Sequence, residues 1–362
     1  MNTASEADAP NAAEAPEAAR RPAAQQAVQQ AVQEAVRAAG PYATAVTVVV
    51  ASGGREEVHC RGRLGREGSA PCTPDSVFEL GSVSKTFTAL LLAEMTARGE
   101  LALDDPLESR LPADWRPPTV RSAEPIRLLH LATHTSGLPR LPPGLVAGAL
   151  PQLGDNPYAA FGEEELRTAL ARTTVRCRPG SRYRYSNYGV GLLGRVLAET
   201  AGAPYGQLLV ERICRPLGLA ATTCAPDAPG RAVGYRRGRA LPVWHIPGLP
   251  GAGAVRSSGA DLLHYLRCHL DGGAGQLGAA LREVQRVRLR LPHSTDRLGL
   301  VWQHRHSGGR DLYFHSGGTR GFTSFVGFSP QGPSAVAVLA NTGPARDGRF
   351  VQAGYEVLRA AG

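Results

Sequence analysis

Gly81-Ser82-Val83-Ser84-Lys85-Thr86-Phe87 opens a segment that runs through Leu90, Leu91, Leu92 and Met95 and stops at Gly99. A helix apolar nearly all round is a buried one. Ser82 stands at its first turn, where unpaired backbone N–H groups and the positive end of the helix dipole favour a developing anion. Lys85, three residues on, lies over the same face. Of the 40 Lys and Arg residues, Lys85 is the one lysine and the other 39 are arginine. A G- and C-rich genome produces such a skew, but it does not explain why one position resisted. Arginine cannot give up its proton in a protein, whereas a desolvated lysine can lose one and then accept one. A serine with a base in reach is how a weak hydroxyl becomes a nucleophile. The plainer alternative makes Ser82 a helix cap and Lys85 a surface charge. It sits badly with an apolar helix in a chain whose surface charges are arginine.

Working outward, Val28, Val32 and Val36 recur every four residues before Gly40 and Pro41, which predicts a helix over 22–39. Thr44–Val50 is β-branched, Ser52-Gly53-Gly54 makes a turn, and Glu57–Arg63 returns, giving a hairpin. The middle of the chain reads helical, with apolar spacing over Glu163–Thr173 and Gly189–Thr200. Strand character returns at Leu298–Arg305, Asp311–His315, Thr323–Phe328 and Ala335–Asn341, before a last helix at about Asp347–Ala360. Strands at both ends around a helical block predict an α+β fold: one antiparallel sheet built from both chain ends, flanked by helices, with a mostly helical domain inserted. Residues 1–20, rich in Ala, Glu and Pro, are expected to be a disordered tail.

Composition narrows the function. With 362 residues, 43% hydrophobic and 20% charged, the chain can bury a large core, and no apolar run approaches a membrane span. The net charge of +9 permits anionic partners. Arginines scattered among acids, with 6% aromatic residues, argue against nucleic acid. Cys60, Cys72, Cys177, Cys214, Cys224 and Cys268 form no C-x-x-C pair, and His304 with His306 is too sparse for a metal site, so no metal and no cofactor are expected. Glu6, Asp8, Glu14 and Glu17 precede Arg20 and Arg21, and no apolar h-region follows. The expectation is a cytoplasmic protein with free thiols.

Two further clusters complete the pattern: Tyr185-Ser186-Asn187, and His315-Ser316-Gly317-Gly318 on an expected strand. With S-x-x-K first, Y-x-N second and H-S-G third, the sequence resembles the serine β-lactamase and penicillin-binding-protein superfamily. The nearest branch is that of class C β-lactamases, D-alanyl-D-alanine carboxypeptidases and related esterases. Thr73–Phe87, Leu103–Pro106, His130–Leu138 and Gly317–Phe328 also match, and the resemblance covers roughly residues 40–345. It implies a β-lactamase/transpeptidase-like fold: a tail at 1–20, a catalytic unit at 21–345, and a C-terminal helix at 346–362 packed on the sheet. Within that unit, a sheet subdomain takes about 21–80 and 250–362, and a helical subdomain about 81–249.

The resemblance also implies roles. Ser82 is the nucleophile that forms an acyl-enzyme. Lys85 and Tyr185 exchange its proton, with the tyrosine poised as a phenolate by the nearby ammonium. Asn187 orients Lys85 and meets the substrate. The backbone N–H groups of Ser82 and Gly318 hold the oxyanion, and Ser316, Gly317 and Gly318 line the substrate. His315 replaces the lysine of the family's K-T-G triplet, which weakens recognition of a carboxylate. No class A S-D-N triplet is found. Arg182 and Arg184 could attract an anion instead.

Gly189, Gly191 and Gly194 spell G-x-G-x-x-G without a preceding strand and read as helix packing. His134-Thr135-Ser136-Gly137 mimics H-S-G but reads as a helix stop. The expected function is acyl transfer from a small-molecule ester, amide or lactam, to water (esterase or amidase) or to a small acceptor (transacylase). The alternatives are a β-lactamase or D-alanyl-D-alanine carboxypeptidase, or a non-catalytic ligand-binding module. Loops such as 139–180 and 225–255 carry the specificity and have no readable code, and the oligomeric state is open.

Overall fold

The structure, a computed structural model, describes residues 17–148 and 155–362. Helix α1 (Glu17–Ala38) buries Val28 and Val32 one turn apart. It starts at Glu17 rather than Pro22, taking in four residues of the expected tail, because Ala, Glu and Arg there are strong helix formers. The remainder of that tail, residues 1–16, lies outside the described residues. Strands β1 (Ala45–Ser52) and β2 (Arg55–Gly62) form the expected hairpin, with Ser52 opposite Arg55. Its two turn residues, Gly53 and Gly54, have φ of +56° and +76°. A two-residue turn needs that left-handed backbone to match the twist of its strands.

After β3 (Val77–Glu79) come helices α2 (Ser84–Ala97), α3 (Leu128–Ala132), α4 (Glu163–Ala171) and α5 (Asn187–Ala201). Then follow β4 (Arg256–Ser258), α6 (Gly259–Asp271), α7 (Gly275–Gln285), β5 (Leu289–Arg290), β6 (Arg297–Leu298), β7 (Gln303–Ser307), β8 (Arg310–Gly318), β9 (Thr323–Ser329), β10 (Ser334–Ala340) and α8 (Arg349–Ala360). The main sheet is antiparallel in the order β2-β1-β10-β9-β8-β7-β6-β5. β1 pairs with β10 from Val46–Ala340 to Ser52–Ser334, so the two ends of the chain lie side by side. One face is covered by α1 and α8, where Val28, Val32, Val336, Val338 and Leu358 pack together. The other carries the larger core, with α2 and α6 at its centre. β9 and β10 are buried on both faces, and β10 reads as a nearly continuous apolar run.

The strand expected over Leu298–Arg305 is two strands folded back on each other. Gly299 N–H donates to Trp302 O at 2.9 Å, and Val301 takes φ +66°. The distortion puts Trp302 fully inside, against Tyr265, His269 and Phe328. Burying so large a ring outweighs the local preference of the run for one extended strand. Helices α6 and α7 were not marked by the sequence, and β8 runs beyond His315 to Gly318. No helix among the described residues is long and apolar enough to cross a membrane.

Candidate active site

The site begins with a close approach of two backbones. Gly81, at φ +52°, turns the chain from β3 into a short 3-10 turn, Gly81–Val83, that runs on into α2. A Cβ on Gly81 would lie 2.6 Å from the backbone of Gly318, and one on Gly317 would lie 2.0 Å from Leu80 O and 2.9 Å from Ser82 N. Glycine at these positions lets β8 lie directly against the turn that carries Ser82. Ser324 fastens the contact by donating to Leu80 O at 2.8 Å. β7 pairs with β8 only as far as Phe314, so His315 to Gly318 present an unpaired strand edge beside Ser82.

Lys85, in the first turn of α2, has no exposed surface. Its Nζ donates to Ala252 O at 2.7 Å and to Ser82 Oγ at 3.0 Å. Burial, helped by the nearby Arg140 charge, holds its pKa well below the ordinary 10.5 and favours the neutral amine. Tyr185 ends the extended segment before α5 and donates from its hydroxyl to Ser82 Oγ at 2.8 Å. Burial raises the phenol above the ordinary 10.0, and the Ser82 hydrogen bond and Arg140 only partly offset it. This runs against the expected phenolate: the same desolvation that lowers Lys85 raises Tyr185. Lys85 Nζ and Arg140 Cζ each lie 5.2 Å from the centre of the Tyr185 ring.

Asn187 begins α5 in the cleft wall, but its Nδ2 donates to Tyr158 Oη at 3.0 Å, and its buried Oδ1 has no partner among the described residues. Lys85 is oriented by Ala252 O rather than by Asn187, a second correction. His315 is buried, and burial together with Lys85 pushes its pKa down to about 3, so the ring is neutral. Ser316 pairs with Phe325, which belongs to the core under α1 and α8, so its side chain lies on the strand face away from His315. Gly318 lines the cleft with Ser82.

The cleft holds about 280 Å³, and Arg140, Leu141, Tyr158, Trp244 and Arg320 in its wall were not foreseen. They come from loops with no motif of their own. Trp244 is held by its backbone N–H on Glu79 Oε1 and Thr319 by its hydroxyl on Glu79 Oε2, both at 2.8 Å. Burial raises the Glu79 carboxyl. Arg182 and Arg184, weighed above as an attraction for an anion, are exposed and lie outside the cleft lining. Gly191 and Gly194 serve helix packing: a Cβ there would lie 2.4 Å from Leu249 and 3.0 Å from Gly251. His304 and His306 both reach Asp311, at 3.0 and 2.9 Å. His134, read as a mere helix stop, lies against Tyr185 with ring centroids 4.5 Å apart.

A serine at the mouth of a buried helix, bonded by a lysine and a tyrosine beside an open strand edge, defines a β-lactamase-related serine hydrolase. The chain belongs to the beta-lactamase family, whose model matches residues 11–360. It is 30% identical over 321 residues to the D-alanyl-D-alanine-carboxypeptidase/endopeptidase AmpH of Escherichia coli, spanning 84% of this chain and 81% of that protein. It is 32% identical over 260 residues to the esterase EstB of Burkholderia gladioli, spanning 67% of this chain and 65% of that one. A beta-lactamase/D-alanine carboxypeptidase from Yersinia pestis shares the fold, with a TM-score of 0.80 at 24% identity, over 94% of this chain and 99% of that one.

Proposed function

We propose that the protein acylates Ser82 from a small-molecule ester or amide and passes the acyl group to water or to a small acceptor. The observation that carries this reading is the pair of hydrogen bonds on Ser82 Oγ, from Lys85 at 3.0 Å and Tyr185 at 2.8 Å. With Lys85 neutral, the Ser82 proton moves to Nζ as Oγ bonds to the carbonyl carbon. The electron pair displaced onto oxygen is held by the N–H groups of Ser82 and Gly318. Collapse breaks the bond to the leaving group, which takes the Tyr185 proton, and Lys85 returns a proton to the phenol. Water or an acceptor then retraces the steps. A positioned base contributes about 10²–10⁴-fold and each oxyanion donor about 10²–10³-fold.

The site sits where the helical span, about 81–249, meets the sheet spans, about 21–80 and 250–362. Neutral His315 favours esters and amides over substrates that need a cation there. A lactam or peptide carrying a carboxylate is the second reading, supported by Arg140 and Arg320 in the cleft wall. The six unpaired cysteines fit the reducing cytoplasm.

Mass spectrometry after reaction with a p-nitrophenyl ester or a fluorophosphonate is expected to find the adduct on Ser82. Labelling that persists in Ser82→Ala refutes the reading. Turnover of a chromogenic cephalosporin faster than that of simple esters would favour the second reading.

A further inference from the structure

Tyr185 sits on an extended segment, Ser181–Ser186, that belongs to none of the described strands or helices. Something outside the segment must fix its hydroxyl to within a fraction of an ångström of Ser82. The stretch 134–140 does so, residue by residue. Thr135 O accepts from Gly180 N at 2.8 Å, His134 O from Arg184 N at 2.8 Å, and Arg140 O from Asn187 N at 3.0 Å. Pro139 O accepts from Ser186 Oγ at 2.6 Å, and that hydroxyl in turn caps α5 by accepting from Gly189 N at 2.8 Å.

His134 makes the bonds that bracket Tyr185. Its carbonyl takes the N–H of Arg184 on one side, and its ring Nδ1 takes the N–H of Ser186 on the other, at 3.2 Å. His134 thus turns both its carbonyl and its ring to the one segment that carries Tyr185. His134 adopts φ +57°, a left-handed conformation that is uncommon outside glycine and several-fold enriched in Asn, Asp and His. The ring is fully enclosed, lies between Tyr183 and Tyr185, and leaves Nε2 without a partner among the described residues. Because Nδ1 accepts, the ring proton is on Nε2 and the ring is neutral. Burial, with Lys85, His315 and Arg140 around it, holds the ring's pKa well below the ordinary 6.5 and keeps that acceptor available.

We infer that His134 is a positioning residue for acylation: by clamping the backbone on both sides of Tyr185 it sets the phenol against Ser82. The inference rests on the acyl-transfer reading above, but the clamp itself can be tested without turnover. In His134→Ala the Nδ1 acceptor is lost, and the Ser186 amide is expected to exchange with deuterium at least about tenfold faster by mass spectrometry. Displacing a reacting group by about 1 Å can cost about 100-fold, so Ser82 acylation by a p-nitrophenyl ester should slow about 10–100-fold. His134→Asn keeps an acceptor atom near the Nδ1 position on a residue that tolerates left-handed backbone. It should restore amide protection and bring acylation to within about threefold of wild type.

The same substitutions in a Tyr185→Phe background separate positioning from general support. If His134 acts through the phenol, His134→Ala adds little to the loss already caused by Tyr185→Phe. Unchanged exchange at Ser186 in His134→Ala overturns the clamp. Multiplying losses in the double variant, or an Asn variant that melts like wild type yet stays slow, overturns the link to Tyr185. A wild-type protein that never acylates at Ser82 would overturn the proposed function instead, and the exchange measurement would still decide the clamp.

Discussion

Replacing Lys85 by methionine separates the two properties the structure assigns to that side chain, its chemistry and its cost. Methionine has nearly the same reach and no charge, so it fills the fully enclosed site between Ser82 and Ala252 without demanding a proton. Loss of a general base costs about 10²–10⁴-fold in acylation. At 1.36 kcal/mol per decade that is about 3–5.5 kcal/mol of transition-state stabilisation. Stability should move the other way. Lys85 has a pKa well below 10.5 in the native state and about 10.4 in an unfolded chain. Between those values the unfolded state binds one more proton than the native state, so wild-type stability rises with pH by about 1.4 kcal/mol per unit from this group alone.

The methionine variant lacks that contribution. Above the depressed native value of Lys85 it should be the more stable protein, and its advantage should shrink by about 1.4 kcal/mol per pH unit up to about pH 10.4. Urea melts at several pH values measure the difference, and other titrating groups cancel between the two proteins. Parallel stability curves, or a variant that still acylates at the wild-type rate, would refute the reasoning. Lys85→Arg should lose the same activity and also destabilise the fold, because its charge cannot be shed.

Acylation should rise with pH through the depressed Lys85 value and then stay level past pH 10, since Tyr185 acts as a phenol raised above 10.0. A stopped-flow rate that keeps climbing near pH 10 would instead make the phenolate the base. Tyr185→Phe should still acylate at Ser82 but about 10²–10⁴-fold more slowly, as expected when a proton donor is removed and the base stays. Gly317→Ala places a Cβ 2.0 Å from Leu80 O and should force β8 off the Ser82 turn, abolishing acylation even if the melting temperature falls by only a few degrees. Activity retained there would mean the strand edge takes no part in the reaction.

Both terminal helices were legible from their helical apolar spacing, and the hairpin and late strands from β-branched and apolar runs bounded by Gly, Ser and Pro. Lys85 was legible for a different reason: a lone lysine among 39 arginines, beside a serine at the start of an apolar helix, pointed to a side chain that can give up its proton. What stayed hidden depends on contacts distant in sequence. The break between Leu298 and Gln303 follows from where Trp302 finds its aromatic neighbours. The upward shift of the Tyr185 phenol follows from the groups packed around it. His134 looked like the end of a helix, which it is, since α3 stops at Ala132. Its second role, as partner to a segment fifty residues on, leaves no periodic trace.

The pairing of β1 with β10 also has a consequence for synthesis. Asn341 Oδ1 accepts from the Ala45 N–H across 296 residues of chain, and β8, which carries Gly318, reaches β1 only through β9 and β10. A nascent chain leaving the ribosome has its serine, lysine and tyrosine long before it has the strand edge beside them. Such non-local pairing is slow to form. Until the last strands emerge, the hairpin of β1 and β2 waits with an open edge and an apolar face, the kind of surface that chaperones cover.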